Sequence, residues 1–249
     1  MTAPSLSVVV PAYNEARRLP ATLASVRAYL RDLGREHEIV VVDDGSNDTT
    51  AEVARDAGDD VRVLRHAPNR GKGYAVRRGM LAATGERRLI TDADLSTPIE
   101  ELAKLEAEIE RGFDVAIGSR AVAGALIEVH QPAYREAMGR LFNRLVQALL
   151  LPGLCDTQCG FKLFTARAAQ TVFSVSSLDG FSFDVEALYV ARHRSLRIAE
   201  VPVTWRNDAA TRVGLGGGAT AFADLVRIRL RALRGAYGAP GGASGAPPT

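Results

Sequence analysis

The sequence predicts an α/β fold: a Rossmann-like sandwich with a mostly parallel central sheet and helices on both faces. Three observations predict it. Short apolar runs rich in Val and Ile recur through the first half of the 249-residue chain. Amphipathic helical patterns separate them, and each run stops at a polar or turn-forming cluster. Strands that are apolar throughout belong to parallel sheets whose two faces are both covered.

The elements follow in order. Leu6 to Val10 is a β-branched run stopped by Pro11, and Leu19, Leu23, Val26 and Leu30 repeat at helical spacing within Glu15 to Leu33. Ile39 to Val42 is a second strand, ended by Asp43-Asp44-Gly45-Ser46, with a helix from about Thr49. Val61 to Leu64 is a third, followed by Asn69-Arg70-Gly71-Lys72-Gly73 and a helix through Leu81. Arg88 to Thr91 is a fourth, ending at Asp92, and Pro98 opens the next helix. Val115 to Ile117 is a fifth strand, closed by Gly118-Ser119-Arg120. The rhythm then changes. Residues 121–134 read as irregular loop and Arg135 to Leu151 as a helix; Cys159 to Phe164 and Ile198 to Trp205 read as strands around a helix from Phe183 to His193. The expected organisation is one α/β domain over 1–213, an amphipathic helix over 214–237 and a disordered Gly/Pro/Ala-rich tail over 238–249.

Composition excludes several classes. Lys plus Arg number 31 against 29 for Asp plus Glu, a net charge of +2 that gives no general case for nucleic acid as a partner. The only cysteines, Cys155 and Cys159, have no nearby His to complete a zinc site and read as reduced thiols. No stretch reaches the roughly 20 apolar residues of a membrane-spanning helix, and the first residues carry no expected secretory signal. No G-x-G-x-x-G follows the first strand, and Gly71-Lys72-Gly73 lacks the spacing of a P-loop.

Four polar clusters follow strands: Pro11 to Glu15, Asp43 to Ser46, Asp92/Asp94 and Gly118 to Arg120. Parallel strands bring such ends to one edge, where α/β sheets bind ligands. Asp92 and Asp94, one residue apart, form a hard oxygen pair suited to Mg²⁺ or Mn²⁺ on a substrate phosphate. Asp at a strand end also caps helices, and the clustering of carboxylates is what favours a cation. Lys72 stands at a helix start, a natural phosphate position.

These clusters, with Asn69 to Gly73, resemble the signature series of family-2 glycosyltransferases, which have the GT-A fold. Asp156 to Phe164, Phe181 to Glu186 and Glu200 to Trp205 are similar to the branch that glucosylates or mannosylates dolichyl phosphate. The resemblance covers roughly residues 6–213. It implies that Pro11, Tyr13, Glu15, Asp43 and Asp44 line the nucleoside pocket and that Asp92 and Asp94 bind the metal on the donor diphosphate. It places Arg120 and Arg135 at the acceptor's lipid phosphate, where an arginine fork suits the ligand. Asp184 and Glu186 are candidates to orient the acceptor or complete the metal shell, or else are polar positions on a packed helix. Arg212 stands where relatives carry a lysine that touches phosphate.

The implied activity is inverting, metal-dependent transfer of a hexose from a nucleotide sugar to a polyprenyl phosphate. UDP-glucose is the expected donor and GDP-mannose the alternative. A hydroxyl acceptor, with Asp184 as base, and a nucleotide-sugar-binding protein without turnover remain the rivals. Residues 135–151 and 219–234 combine apolar stripes with arginines, a pattern suited to the membrane interface. The expected location is cytoplasmic, peripheral at the cytoplasmic membrane face.

Overall fold

A computed structural model describes residues 4–207 and 217–239. A seven-stranded sheet forms its centre: β1 (Leu6–Ala12), β2 (His37–Asp44), β3 (Val61–His66), β4 (Arg87–Ile90), β5 (Val115–Ser119), β7 (Lys162–Thr165) and β8 (Ile198–Pro202), in the order β3-β2-β1-β4-β7-β5-β8. All its pairings are parallel except those of β7, which runs antiparallel between β4 and β5. The register puts Lys162 beside Ile90 and Ile117, so the start of β7 lies where β4 and β5 end.

Alternation along β1 and β2 divides the core. Val9, Val40 and Val42 face one apolar layer with α3 (Lys72–Ala82), α5 (Ala133–Leu149), α6 (Ala166–Phe173), α7 (Phe183–His193) and α8 (Gly217–Leu233). Val8, Val10, Ile39 and Val41 face the other, with α1 (Leu19–Asp32), α2 (Thr50–Arg55) and α4 (Leu102–Glu110). Strands buried on both faces explain the uninterrupted Val/Ile runs. The two-faced, mostly parallel sandwich that the sequence predicts is present.

Several boundaries differ, each for a physical reason. Residues 15–18 are turns closed by bonds from the Arg18 and Leu19 amides to the Glu15 carbonyl, so α1 begins only at Leu19, beside Pro20. The expected loop 121–134 contains β6 (Leu126–Val129), which pairs with β9 (Thr204–Arg206) in a separate two-stranded sheet. That partner is remote in sequence, so no local pattern reveals it. The expected strand Ile198 to Trp205 therefore divides, one part in each sheet, and the expected strand from Cys159 forms only from Lys162. α6 is an addition to the expected elements; Thr165 caps it, its Oγ1 accepting from the Ala168 amide at 3.1 Å.

α3 lies close on the sheet at Gly79, where an added Cβ would collide with Val9 Cγ1 and stand 2.9 Å from Val42 Cγ2. Gly79→Ala therefore sets a helix-propensity gain of about 1 kcal/mol against an overpacking cost of about 1–3 kcal/mol. Urea unfolding is expected to show a net loss of stability, and a net gain would show that α3 can lift from β1.

Candidate active site

The ends of β1 and β2 are knitted together. The Asn14 amide donates to Ser46 Oγ at 2.9 Å, the Asn47 amide to Asn14 Oδ1 at 2.9 Å and the Glu15 amide to Thr50 Oγ1 at 2.8 Å. Pro11 is buried in β1 beside Val42, and Tyr13 leaves its ring half-exposed at the strand's end. Glu15 is clamped to Arg18, whose Nε donates to its Oε2 at 2.6 Å.

Asp44 organises the next loop. His66 Nε2 stands 2.7 Å from its Oδ1, and Asn69 Nδ2 and the amides of Arg70 and Gly71 donate to it at 2.8–2.9 Å. One carboxylate thereby fixes the segment that leads into α3. Asp43 is wholly buried, accepts from the Ser46 amide at 3.0 Å and meets Arg65 Nε at 3.1 Å. Both of these acids hold loops at the end of β2.

Lys72, the first residue of α3, reaches Asp92 Oδ1 at 2.6 Å. Burial disfavours its charge, but Asp92, Asp184 and Asp94 together hold the ammonium above its usual pKa. Asp94 Oδ1 accepts from the Ser96 amide at 3.0 Å, and its Oδ2 lies 4.0 Å from Arg18 Nη1. The Asp92 carboxylate lies against Gly160, where any Cβ would strike its Oδ2. A buried pair lies alongside: Lys162 Nζ is 2.5 Å from Asp184 Oδ1 and also donates to the Cys159 carbonyl. Burial raises the Asp184 pKa despite both lysines.

At the end of β5, Arg120 grips Asp156 through Nε at 2.6 Å, Nη2 at 2.9 Å and its backbone amide at 3.0 Å. Its guanidinium stands 5.2 Å from the centre of the Trp205 ring. Glu200 on β8 holds the Asp156 loop, accepting from the amides of Cys155 and Asp156 at 2.8 and 2.7 Å. Burial works against the Asp156 charge, yet Arg120 holds its pKa below the usual carboxylate range. Asp92 acts electrostatically on both Lys72 and Arg120. The structure thus gathers Asp92, Asp94, Lys72, Asp184 and Arg120 around one sheet edge.

Other predicted residues stand apart. Arg135, near the start of α5, donates to Tyr134 Oη at 3.2 Å. Glu186, at the far side of α7's first turn, accepts from the amides of Ser177 and Leu178 at 2.8 and 2.7 Å. Arg212 lies outside the described residues. Sequence reasoning passed over Asp156, Lys162 and Glu200 as individuals. The signal for Lys162 was present: a lysine between Phe161 and Leu163 in a strand is a buried charge that must be paired.

The residues fit a divalent cation. Asp92 Oδ1 is buried with no hydrogen bond beyond its ion pair, and both acids offer hard oxygens. Among the described residues, no group of three or more His, Cys, Asp or Glu is placed to share a metal. A cation held by Asp92 and Asp94 would take its other ligands from substrate phosphate and water, as Mg²⁺ commonly does.

Comparisons with known proteins bear on the fold and the family. The model of the family described as Glycosyl transferase family 2 matches residues 7–173. The chain is 39% identical over 249 aligned residues to a human dolichyl-phosphate beta-glucosyltransferase, covering 93% of this chain and 77% of the relative. A solved mannosyl-3-phosphoglycerate synthase from Rubrobacter xylanophilus superposes with a TM-score of 0.71 at 20% identity, covering 93% of this chain and 75% of that one. The Mycobacterium tuberculosis glucosyl-3-phosphoglycerate synthase, in complex with Mn²⁺, uridine diphosphate and glucosyl-3-phosphoglycerate, gives 0.66 at 19% identity, with 95% and 81% covered.

Asp156→Asn would leave Arg120 without its counter-charge, costing about 3 kcal/mol at neutral pH. Because the folded-state pKa of Asp156 is depressed, its stabilisation is complete above the unfolded value of about 4. It fades as pH falls through the folded value. Urea unfolding of both proteins is expected to show a constant gap from pH 7 to 5 that narrows below 4.

Proposed function

The chain belongs to glycosyl transferase family 2, and from that membership we propose that it moves glucose from UDP-glucose to a dolichyl or other polyprenyl phosphate, with inversion. The observation that carries this reading is the Lys72–Asp92 ion pair at 2.6 Å after β4, on the sheet edge where Arg120 follows β5. Lys72 suits the donor diphosphate and Arg120 the acceptor phosphate. The names of the relatives supply the sugar and the lipid.

In this reading, Tyr13 presents its half-exposed ring to the uracil base while the loops held by Asp43 and Asp44 wall the pocket. Lys72 meets the diphosphate from the start of α3, where the helix dipole also favours negative charge. A Mg²⁺ or Mn²⁺ ion held by Asp92 and Asp94 would neutralise charge on the leaving diphosphate. The acceptor phosphate forms a bond from one oxygen to the anomeric carbon. The carbon–oxygen bond to UDP breaks, and its electron pair leaves with UDP. A phosphate monoester with a second pKa near ~6 is already ionised and needs no base. That agrees with Asp184, which is tied to Lys162 and so is engaged as a counter-ion. A hydroxyl acceptor would demand a free base in its place.

Membrane contact belongs to the same proposal. No helix among the described residues is long and apolar enough to cross a membrane. α5 and α8 lie together, Phe142 meeting Phe222 edge-on at 5.8 Å, and expose Tyr134, Met138, Leu141 and Leu149 beside Phe222, Val226, Leu230 and Leu233. Arg140, 3.6 Å from Glu136, and Arg227, 3.1 Å from Asp224, stand exposed on the same two helices. An apolar face on helices that also carry exposed arginines fits an anionic lipid surface, and the proposed place of action is the cytoplasmic face of a membrane.

Incubating the protein with labelled UDP-glucose, Mn²⁺ and dolichyl phosphate is expected to yield a lipid-linked glucose, with GDP-mannose a poorer donor. Asp92→Asn should reduce turnover by about a hundredfold or more. No lipid-linked product from any donor would remove the acceptor assignment. In flotation assays the protein should follow phosphatidylserine-containing vesicles and leave neutral ones, with Leu141→Asp plus Val226→Asp abolishing the difference. Equal behaviour of the doubly substituted and parent proteins would remove the lipid surface.

A further inference from the structure

Beyond the matched family segment, the chain makes a buried polar connection that reaches the donor site. Tyr237 follows α8 and is wholly buried, the largest side chain so enclosed among the described residues. Its hydroxyl donates to Glu186 Oε1 at 2.8 Å. Burial and the Glu186 charge push its pKa well up, so it stays a donor at every working pH. Glu186, itself wholly buried, spends its other oxygen on the amides of Ser177 and Leu178 and also accepts from Ser177 Oγ at 3.1 Å.

The segment so held abuts the start of α3. The Asp179 carbonyl accepts from the amides of Gly73 and Tyr74 at 2.8 and 3.3 Å. Asp179 Oδ1 takes Arg77 Nη2 at 2.6 Å. Contact is so close that a Cβ on Gly71 would strike the Asp179 carbonyl and one on Gly73 the Leu178 carbonyl. Gly71 also sits at φ +107°, where other residues are strained. Lys72, between these two glycines, is the residue that pairs with Asp92.

We propose that Tyr237 is a positioning residue for the donor site, seating residues 177–180 through Glu186 and thereby fixing the first turn of α3 and the Lys72 ammonium. Its importance for donor binding rests on the reading of Lys72 as a diphosphate contact. The seating itself does not. The C-terminal segment is then part of the donor site's framework, although it touches none of the donor.

Tyr237→Phe removes only the hydroxyl. In the full-length protein it is expected to raise the KM for UDP-glucose about fivefold, the factor one ordinary hydrogen bond carries, with the KM for dolichyl phosphate unchanged. Amide exchange should quicken at residues 71–74 and 177–180. In a Lys72→Met background, the same change should cause no further loss of donor affinity. Unchanged exchange at 71–74 overturns the proposal, as does an equal weakening of donor and acceptor. Were the parent protein to show no turnover of UDP-glucose, the function above would fall while the exchange measurement still decided the seating. Glu186→Gln supplies the same readouts if Tyr237→Phe does not fold, and is expected to quicken exchange at both segments.

Discussion

Carboxylates crowded at one sheet edge must each be given a counter-charge or a set of donors, and this requirement shapes the molecule. A parallel sheet delivers strand ends to the same rim regardless of what they carry. Here it delivers Asp43, Asp44 and Asp92, with Asp156 and Asp184 brought in by later segments. Left unpaired, such groups repel one another and resist burial. Each finds a different answer: backbone amides for Asp44, and Arg65, Lys72, Arg120 and Lys162 for Asp43, Asp92, Asp156 and Asp184. The loop after β3, the start of α3 and the position of β7 all follow from where those partners must sit.

Much of this was legible in the sequence because the relevant signals are local. The Val/Ile runs of β1 and β2, the Pro98 helix start and the full span of α7 come from patterns a dozen residues long. The Asp92/Asp94 pair and Lys72 were legible for the same reason, each standing directly after a strand or at a helix start. What the sequence withheld is long-range. β6 exists only because β9 lies beside it, and β7 runs against its neighbours for reasons no local pattern carries. The roles of Asp44 and Glu186 were also hidden, since a carboxylate that collects backbone amides looks the same in sequence as one that awaits a ligand.

The two ends of the site are built differently. On the proposed donor side a single helix start carries Lys72, and its placement depends on loops held by Asp44 and Asp179. On the proposed acceptor side Arg120 is fixed three times over, by the Asp156 carboxylate, by the Trp205 ring and, through the Asp156 loop, by Glu200. A rigid arginine can be specific for the shape of one phosphate. A lysine on a helix start can follow a diphosphate as its charge changes during departure.

The antiparallel strand at the middle of the sheet also sets the order in which the chain can become whole. β4 and β5 are made early, yet neither has its inner neighbour until residues 162–165 arrive to bridge them. Throughout that interval β3-β2-β1-β4 is a half-sheet with an open apolar edge, the kind of edge that invites pairing with another chain. That edge has no partner within the chain until residues 162–165 join β4 to β5. A chain cut short before Lys162 would leave β4 and β5 without the strand that joins them, and β5 without β8 on its other side.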